Sequence, residues 1–304
     1  MKTADMMQRA FRKGLVIPAF NIPHLPMLEP VAQAIADENA VAMIQVARLE
    51  WEKFGSESLE RVAQEYAKYE KPGHTLLHLD HVPVIDEDQL QVDYLAILRR
   101  AVAAGYGSLM VDASRLSLQG NIQATKEAAA LAHAAGLPIE AELGAVMGHE
   151  TSQQAIPYEE IFQKKMGFTK LDEAQRFVNE TGCDWLSVAV GSVHGAIAEG
   201  MLDRKKPDAK LDTAHISALR RAVNIPLVLH GGSGIQKEYI SLGIAEGICK
   251  INVGTEIRQP YERILSQAGG ALRAREAVYL RTRELISDFL GAKNSADILM
   301  AGLQ

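Results

Sequence analysis

Eight short runs of apolar and β-branched residues recur along this chain, alternating with longer stretches of good helix formers. The runs are 16–22, 41–47, 74–80, 107–113, 138–144, 185–191, 226–232 and 248–254. They are strand-length, whereas 87–104, 118–136, 172–181 and 213–223 are helix-length and rich in Ala, Leu, Glu, Arg and Gln. Strands alternating with helices imply parallel neighbours joined by helical crossovers, and eight such units fit a closed (β/α)8 TIM barrel. Gly105, Gly136 and Gly182 follow helical runs, and Pro138 and Pro226 open strands. No linker or low-complexity stretch breaks the rhythm, so residues 1–304 read as a single domain with extra C-terminal helices after about residue 270. Two connections are longer than usual, 145–171 and the stretch from His81 to about Glu87.

The apolar fraction of 47% and charged fraction of 23% are those of an ordinary globular chain. A net charge of -6 without a basic tract removes the electrostatic footprint of a nucleic-acid binder. Cys183 and Cys249 lack Cys-x-x-Cys spacing and read as core thiols in a reducing compartment. No apolar run has the length to cross a bilayer, and the first residues form a charged amphipathic helix rather than a signal peptide. The expected setting is cytoplasmic, with neither nucleic acid nor membrane as a partner.

In such a barrel the reactive side chains collect where strands end, at the C-terminal face. Strand three ends His78-Leu79-Asp80-His81, strand four ends Val111-Asp112, and strand five carries Glu140 and Glu142 on one face. Strand six ends Gly191-Ser192-Val193-His194, strand seven His230-Gly231-Gly232-Ser233-Gly234, and strand eight Asn252-Val253-Gly254-Thr255. A lone histidine at a strand end is more often structural. His81, His194 and His230 at three matched ends favour a catalytic zinc site, with a position left open for water or substrate. Asp112 and Glu142 read equally as further ligands, as partners orienting the imidazoles, or as salt-bridged carboxylates. His133, His215 and His74 read as structural, while His24 and His149 in mouth loops stay open. The turns after strands seven and eight expose backbone N–H groups at helix starts, where an anion can bind.

From Pro18-Ala19-Phe20-Asn21 to Asn252-Val253-Gly254-Thr255-Glu256 the sequence resembles the class II fructose-bisphosphate and tagatose-bisphosphate aldolases. The motifs HLDH (78–81), EAELG (140–144), GSVHG (191–195), LVLHGGSG (227–234) and KINVGTE (250–256) occur in that family's order and spacing. The resemblance implies a lyase that cleaves a ketose 1,6-bisphosphate or ketose 1-phosphate to dihydroxyacetone phosphate and an aldehyde such as glyceraldehyde 3-phosphate. It implies Zn2+ on His81, His194 and His230, with Asp112 and Glu142 at a second or alternative metal position. Asp80 would be the acid at the aldehyde oxygen, and Glu150 the group that moves the proton at the dihydroxyacetone carbon. Asn21, Gly195, Gly231, Gly232, Ser233, Asn252, Val253, Gly254 and Thr255 would hold the phosphate end and, in part, a monovalent cation (Na+ or K+). A homo-dimer or homo-tetramer is the family's usual assembly.

The departures from the fructose-bisphosphate enzymes fall toward the aldehyde. Strand two ends Gln45-Val46-Ala47-Arg48 where those enzymes place a serine, and Arg115 stands where a histidine is common. The connection after His81 is long, and Met147-Gly148 replaces a glycine pair. Arg48 and Arg115 read as surface salt bridges, with an anion such as a sulfonate or carboxylate as the alternative. Two other readings use the same residues: a metal-dependent sugar-phosphate isomerase or epimerase, and a non-catalytic sugar-phosphate-binding barrel.

Overall fold

The computed structural model describes residues 2–144, 158–192, 209–232, 234–267 and 270–302. Eight parallel strands close into one barrel in chain order: β1 (Ile17–Asn21), β2 (Ala42–Ala47), β3 (Thr75–Asp80), β4 (Ser108–Val111), β5 (Ile139–Leu143), β6 (Trp185–Val188), β7 (Leu227–Leu229) and β8 (Ile248–Val253). Around them lie α1 (Thr3–Lys13), α2 (Leu28–Asp37), α3 (Arg48–Lys53), α4 (Leu59–Tyr69), α5 (Tyr94–Ala104), α6 (Leu118–Ala134) and α7 (Tyr158–Gln163). The second half adds α8 (Leu171–Thr181), α9 (Thr213–Val223), α10 (Lys237–Glu246), α11 (Thr255–Ser266), α12 (Gly270–Glu284) and α13 (Ser295–Met300). The expected TIM barrel with extra C-terminal helices is therefore the fold. No helix among the described residues is long and apolar enough to cross a membrane.

Every strand residue is buried, because one face lines the barrel and the other packs under helices. The interior face is split by polarity. At the bottom Ile17, Met43, Leu76, Trp185 and Val228 pack with Met6, Met7 and Ala10 of α1 and Leu299 of α13, sealing that end with apolar surface. Two residues beyond Leu76 and Val228, alternation brings His78 and His230 inward, and Glu140 of β5 and Lys250 of β8 join them, all four buried. The sealed lower end keeps water from them, which is why their mutual pairing matters.

The C-terminal helices strap back onto the start of β2. Arg283 and Lys293 reach the buried Glu38 carboxylate at 2.6 and 3.2 Å, and Ser295 Oγ accepts from the Val41 N–H at 3.0 Å.

Three sequence expectations change in detail. The helix expected over 87–104 begins at Tyr94, where the Asp93 side chain accepts from the Ala96 N–H. Upstream, the Asp86 carboxylate accepts from the Asp88 and Leu90 N–H groups, and residues 82–93 make a compact loop tied to the Asp112 strand end. The ends of the runs at strands four, six and seven leave the ladder early to form mouth turns. Inside the 145–171 connection lies the short α7.

Candidate active site

The strand ends bring two tiers of ionisable groups together. In the upper tier His81 Nδ1 lies 3.5 Å from Asp112 Oδ2 and 4.0 Å from Glu142 Oε2, while His230 Nδ1 lies 3.1 Å from the same Glu142 oxygen. The rings of His81 and His230 are 4.4 Å apart. One donor atom from each of Asp80, His81 and His230 falls within 4.8 Å of the others, and the same holds for His81, Asp112 and Glu142. His81 takes a φ of 37°, a left-handed conformation uncommon outside glycine. The turn out of β3 thereby aims the imidazole back over the barrel axis.

In the lower tier Glu140 is the hub. Its Oε1 meets His230 Nε2 at 2.8 Å, and its Oε2 accepts from Trp185 Nε1 and Lys250 Nζ, both at 2.8 Å. Glu140 and Lys250 are completely buried. His78 joins through Nδ1 to Ser108 Oγ at 2.8 Å.

Asp80 stands between the tiers. Its Oδ2 accepts from Asn21 Nδ2 at 2.9 Å and its Oδ1 from Asn252 Nδ2 at 3.0 Å, with Lys250 Nζ at 3.9 Å. Gln45 Nε2 donates to Asn21 Oδ1 at 2.8 Å, which fixes the amide so that its NH2 faces Asp80.

These contacts set the charges. Burial works to raise the Asp80 carboxyl, but His81, Lys250 and His230 outweigh it and hold the group below its ordinary value. Burial likewise opposes a charge on His81, yet the carboxylates of Asp80, Asp112 and Glu142 raise it to about 10. His78 is pushed down to about 3, by burial first and then by Lys250. The upper tier is thus a place where surrounding carboxylates favour a positive charge.

A divalent cation fits this donor set. Imidazole nitrogens with carboxylate oxygens are the ligands zinc takes, and Glu142 Oε2 and His230 Nδ1 are both buried without a hydrogen bond of good geometry. His194 lies outside the described residues, as do Glu150, Gly195, Ser233 and His149.

The turn after β7 needs its glycines: Gly231 has a φ of 69°, and a Cβ on Gly232 would come within 2.9 Å of Ile251 Cγ2. Val253 ends β8, Gly254 precedes α11 and Thr255 is its first residue, so a helix N-terminus opens at the mouth beside Asn21. His133, His215 and His74 bond to Asp184, the Thr169 carbonyl and the Ala40 carbonyl respectively, in keeping with structural roles. His24 pairs with Glu262 at 2.9 Å. Arg48 lies 3.5 Å from Asp86 and 3.8 Å from Glu52, and Arg115 is exposed. Cys183 and Cys249 are buried and unpaired.

Over residues 1–294 the chain matches the sequence profile of the family described as fructose-bisphosphate aldolase class-II. The chain belongs to that family. It is a class II aldolase, a carbon–carbon lyase. Among solved structures it is similar to the YdjI aldolase from Escherichia coli K12, at 28% identity and a TM-score of 0.76, covering 96% of this chain and 98% of that one. A Coccidioides immitis protein named for a fructose-1,6-biphosphate aldolase matches at 24% identity and a TM-score of 0.76, over 97% and 98% of the two chains. Fructose-bisphosphate aldolase from Campylobacter jejuni matches at 18% identity and a TM-score of 0.70, over 96% and 95%. The last two likenesses speak to the fold alone.

Three residues at the core of this site went unassigned in the sequence. Glu140 and Lys250 share interior parity with Glu142 and Asn252, which is the signal that finds them. Glu50 has no such signal, because it sits on the first turn of α3 rather than on a strand. Its carboxyl is raised to about 8 by burial and by Asp80, against hydrogen bonds from Ala47 and Asn21.

Proposed function

We propose that this aldolase reversibly cleaves a ketose 1-phosphate or ketose 1,6-bisphosphate to dihydroxyacetone phosphate and an aldehyde, beside a zinc ion held by His81, His194 and His230. The observation that carries the reading is the convergence of Asp80, His81 and His230 donor atoms within 4.8 Å, next to the unsatisfied Glu142 oxygen. A divalent cation bound there supplies Lewis-acid stabilisation of the enediolate oxygens. Asp112 and Glu142 offer it a second position.

The residues of the chain divide the proton transfers. Asp80, oriented by the Asn21 and Asn252 amides, takes the C4 hydroxyl proton as the C3–C4 bond breaks and its electron pair moves into the C2 carbonyl. In condensation the same residue returns that proton to the aldehyde oxygen. Glu150 delivers the proton that completes dihydroxyacetone phosphate at C3. Gly231, Gly232 and Ser233 after β7, with Asn252, Val253, Gly254 and Thr255 after β8, hold the phosphate, aided by Gly195 and Asn21 and a monovalent cation. Residues 1–304 act as one domain, as a homo-dimer or homo-tetramer. The two buried, unpaired thiols suit a cytoplasmic setting.

The test is a retro-aldol assay with fructose 1,6-bisphosphate, tagatose 1,6-bisphosphate and ketose 1-phosphates, following dihydroxyacetone phosphate. Release that stops on chelation and returns with zinc is the expected result. Metal bound without release from any of these substrates would sink the proposal.

A further inference from the structure

At the mouth stands a buried carboxyl, Glu50, that this reaction leaves unused. Glu50, 8% exposed, accepts through Oε2 from the Ala47 N–H at 2.7 Å and from Asn21 Nδ2 at 3.4 Å. The same Asn21 amide donates to Asp80, so Glu50 stands beside the group at the aldehyde oxygen, across the barrel from the turn after β7. Among the described residues its Oε1 accepts no hydrogen bond, and no lysine or arginine pairs with it. Arg48 turns instead to Asp86 and Glu52. A glutamate that only caps a helix does so equally well from the surface. His81 is the cationic group that acts on this carboxyl, but it holds no hydrogen bond to it, so the remaining oxygen is left for a partner that arrives with the substrate.

We propose that Glu50 is a specificity-determining residue that hydrogen-bonds a hydroxyl of the aldehyde half, selecting α-hydroxyaldehydes. This rests on the aldolase reading and deepens it by naming the residue that meets the hydroxyl next to the aldehyde carbon. A hydroxyl both donates and accepts, so it meets the carboxyl in either protonation state. Two neighbouring acids match two neighbouring oxygens: Asp80 serves the carbonyl oxygen and Glu50 the hydroxyl on the next carbon. An aldehyde lacking that hydroxyl leaves the carboxyl desolvated and unpaired, the situation in which a polar site discriminates most strongly.

The experiment uses the zinc-loaded full chain to condense dihydroxyacetone phosphate with glycolaldehyde or acetaldehyde, and reads the ratio of the two kcat/KM values. We expect a ratio on the order of 100 in the wild type, falling at least about tenfold in Glu50→Ala and less in Glu50→Gln, whose amide keeps an acceptor. Taking the ratio within one variant cancels any loss of folded protein. If Glu50→Ala yields none, a fall of about threefold or more in Glu50→Gln is the supporting result. A wild-type ratio near unity, or one that neither variant alters, overturns the proposal while leaving the aldolase intact. No product from either aldehyde with metal bound would overturn the aldolase reading and this inference together.

Discussion

His230 Nε2 lies 2.8 Å from Glu140 Oε1 in a fully buried contact, and this settles which ring nitrogen faces the mouth. With the proton on Nε2, the Nδ1 lone pair is turned toward Glu142 and His81. Glu140→Gln should therefore weaken zinc binding by about 10- to 100-fold, measured by competition with a chromophoric chelator. Trp185, bonded to the same carboxylate, gives a second readout: in a Trp51→Phe background its emission should respond to zinc. Unchanged affinity would show that Glu140 does not orient His230.

Lys250 compensates two buried carboxylates, Glu140 at 2.8 Å and Asp80 at 3.9 Å. Lys250→Met should cost about 3–5 kcal/mol in urea unfolding, since it strands charge in a buried interior. Adding Glu140→Leu should recover part of that loss, and a double mutant less stable than Lys250→Met would refute the pairing.

Asp80→Asn keeps the hydrogen-bonding shape but removes the proton carrier. We expect kcat to fall by about 10²- to 10⁴-fold with zinc content unchanged. Equal loss of zinc and activity would instead make Asp80 part of the metal site.

The Glu38 pair should give an acid-sensitive strap. Burial acts to raise this carboxyl, but the hydrogen bonds and charges of Arg283 and Lys293 hold it below its ordinary 4.5. A depressed carboxyl adds stability above its unfolded pKa and loses it as pH falls through the folded one. Arg283→Leu should thus lower the Tm at pH 7, and only modestly because Arg283 is 41% exposed. The Tm difference from wild type should shrink as the pH is lowered below about 4; a gap that widens there would contradict the sign.

The strand–helix alternation was enough to specify the barrel, because strand-length runs beside helix-length ones leave few ways to bury both sets of apolar faces. The strand ends also collected Asp80 and Asn252 at one mouth, and period-two alternation put Glu140 and Glu142 on one face. What the sequence could not determine is who pairs with whom across the axis. That Glu140 bridges His230, Trp185 and Lys250, or that Asn21 joins Asp80 to Glu50, depends on strand stagger and on turns such as the left-handed one at His81. Periodicity acts along one strand and is local. Closure brings together residues distant in sequence, such as Asn252 and Asp80, 172 positions apart, and burial then makes each such contact count, because polar groups cut off from water have only each other.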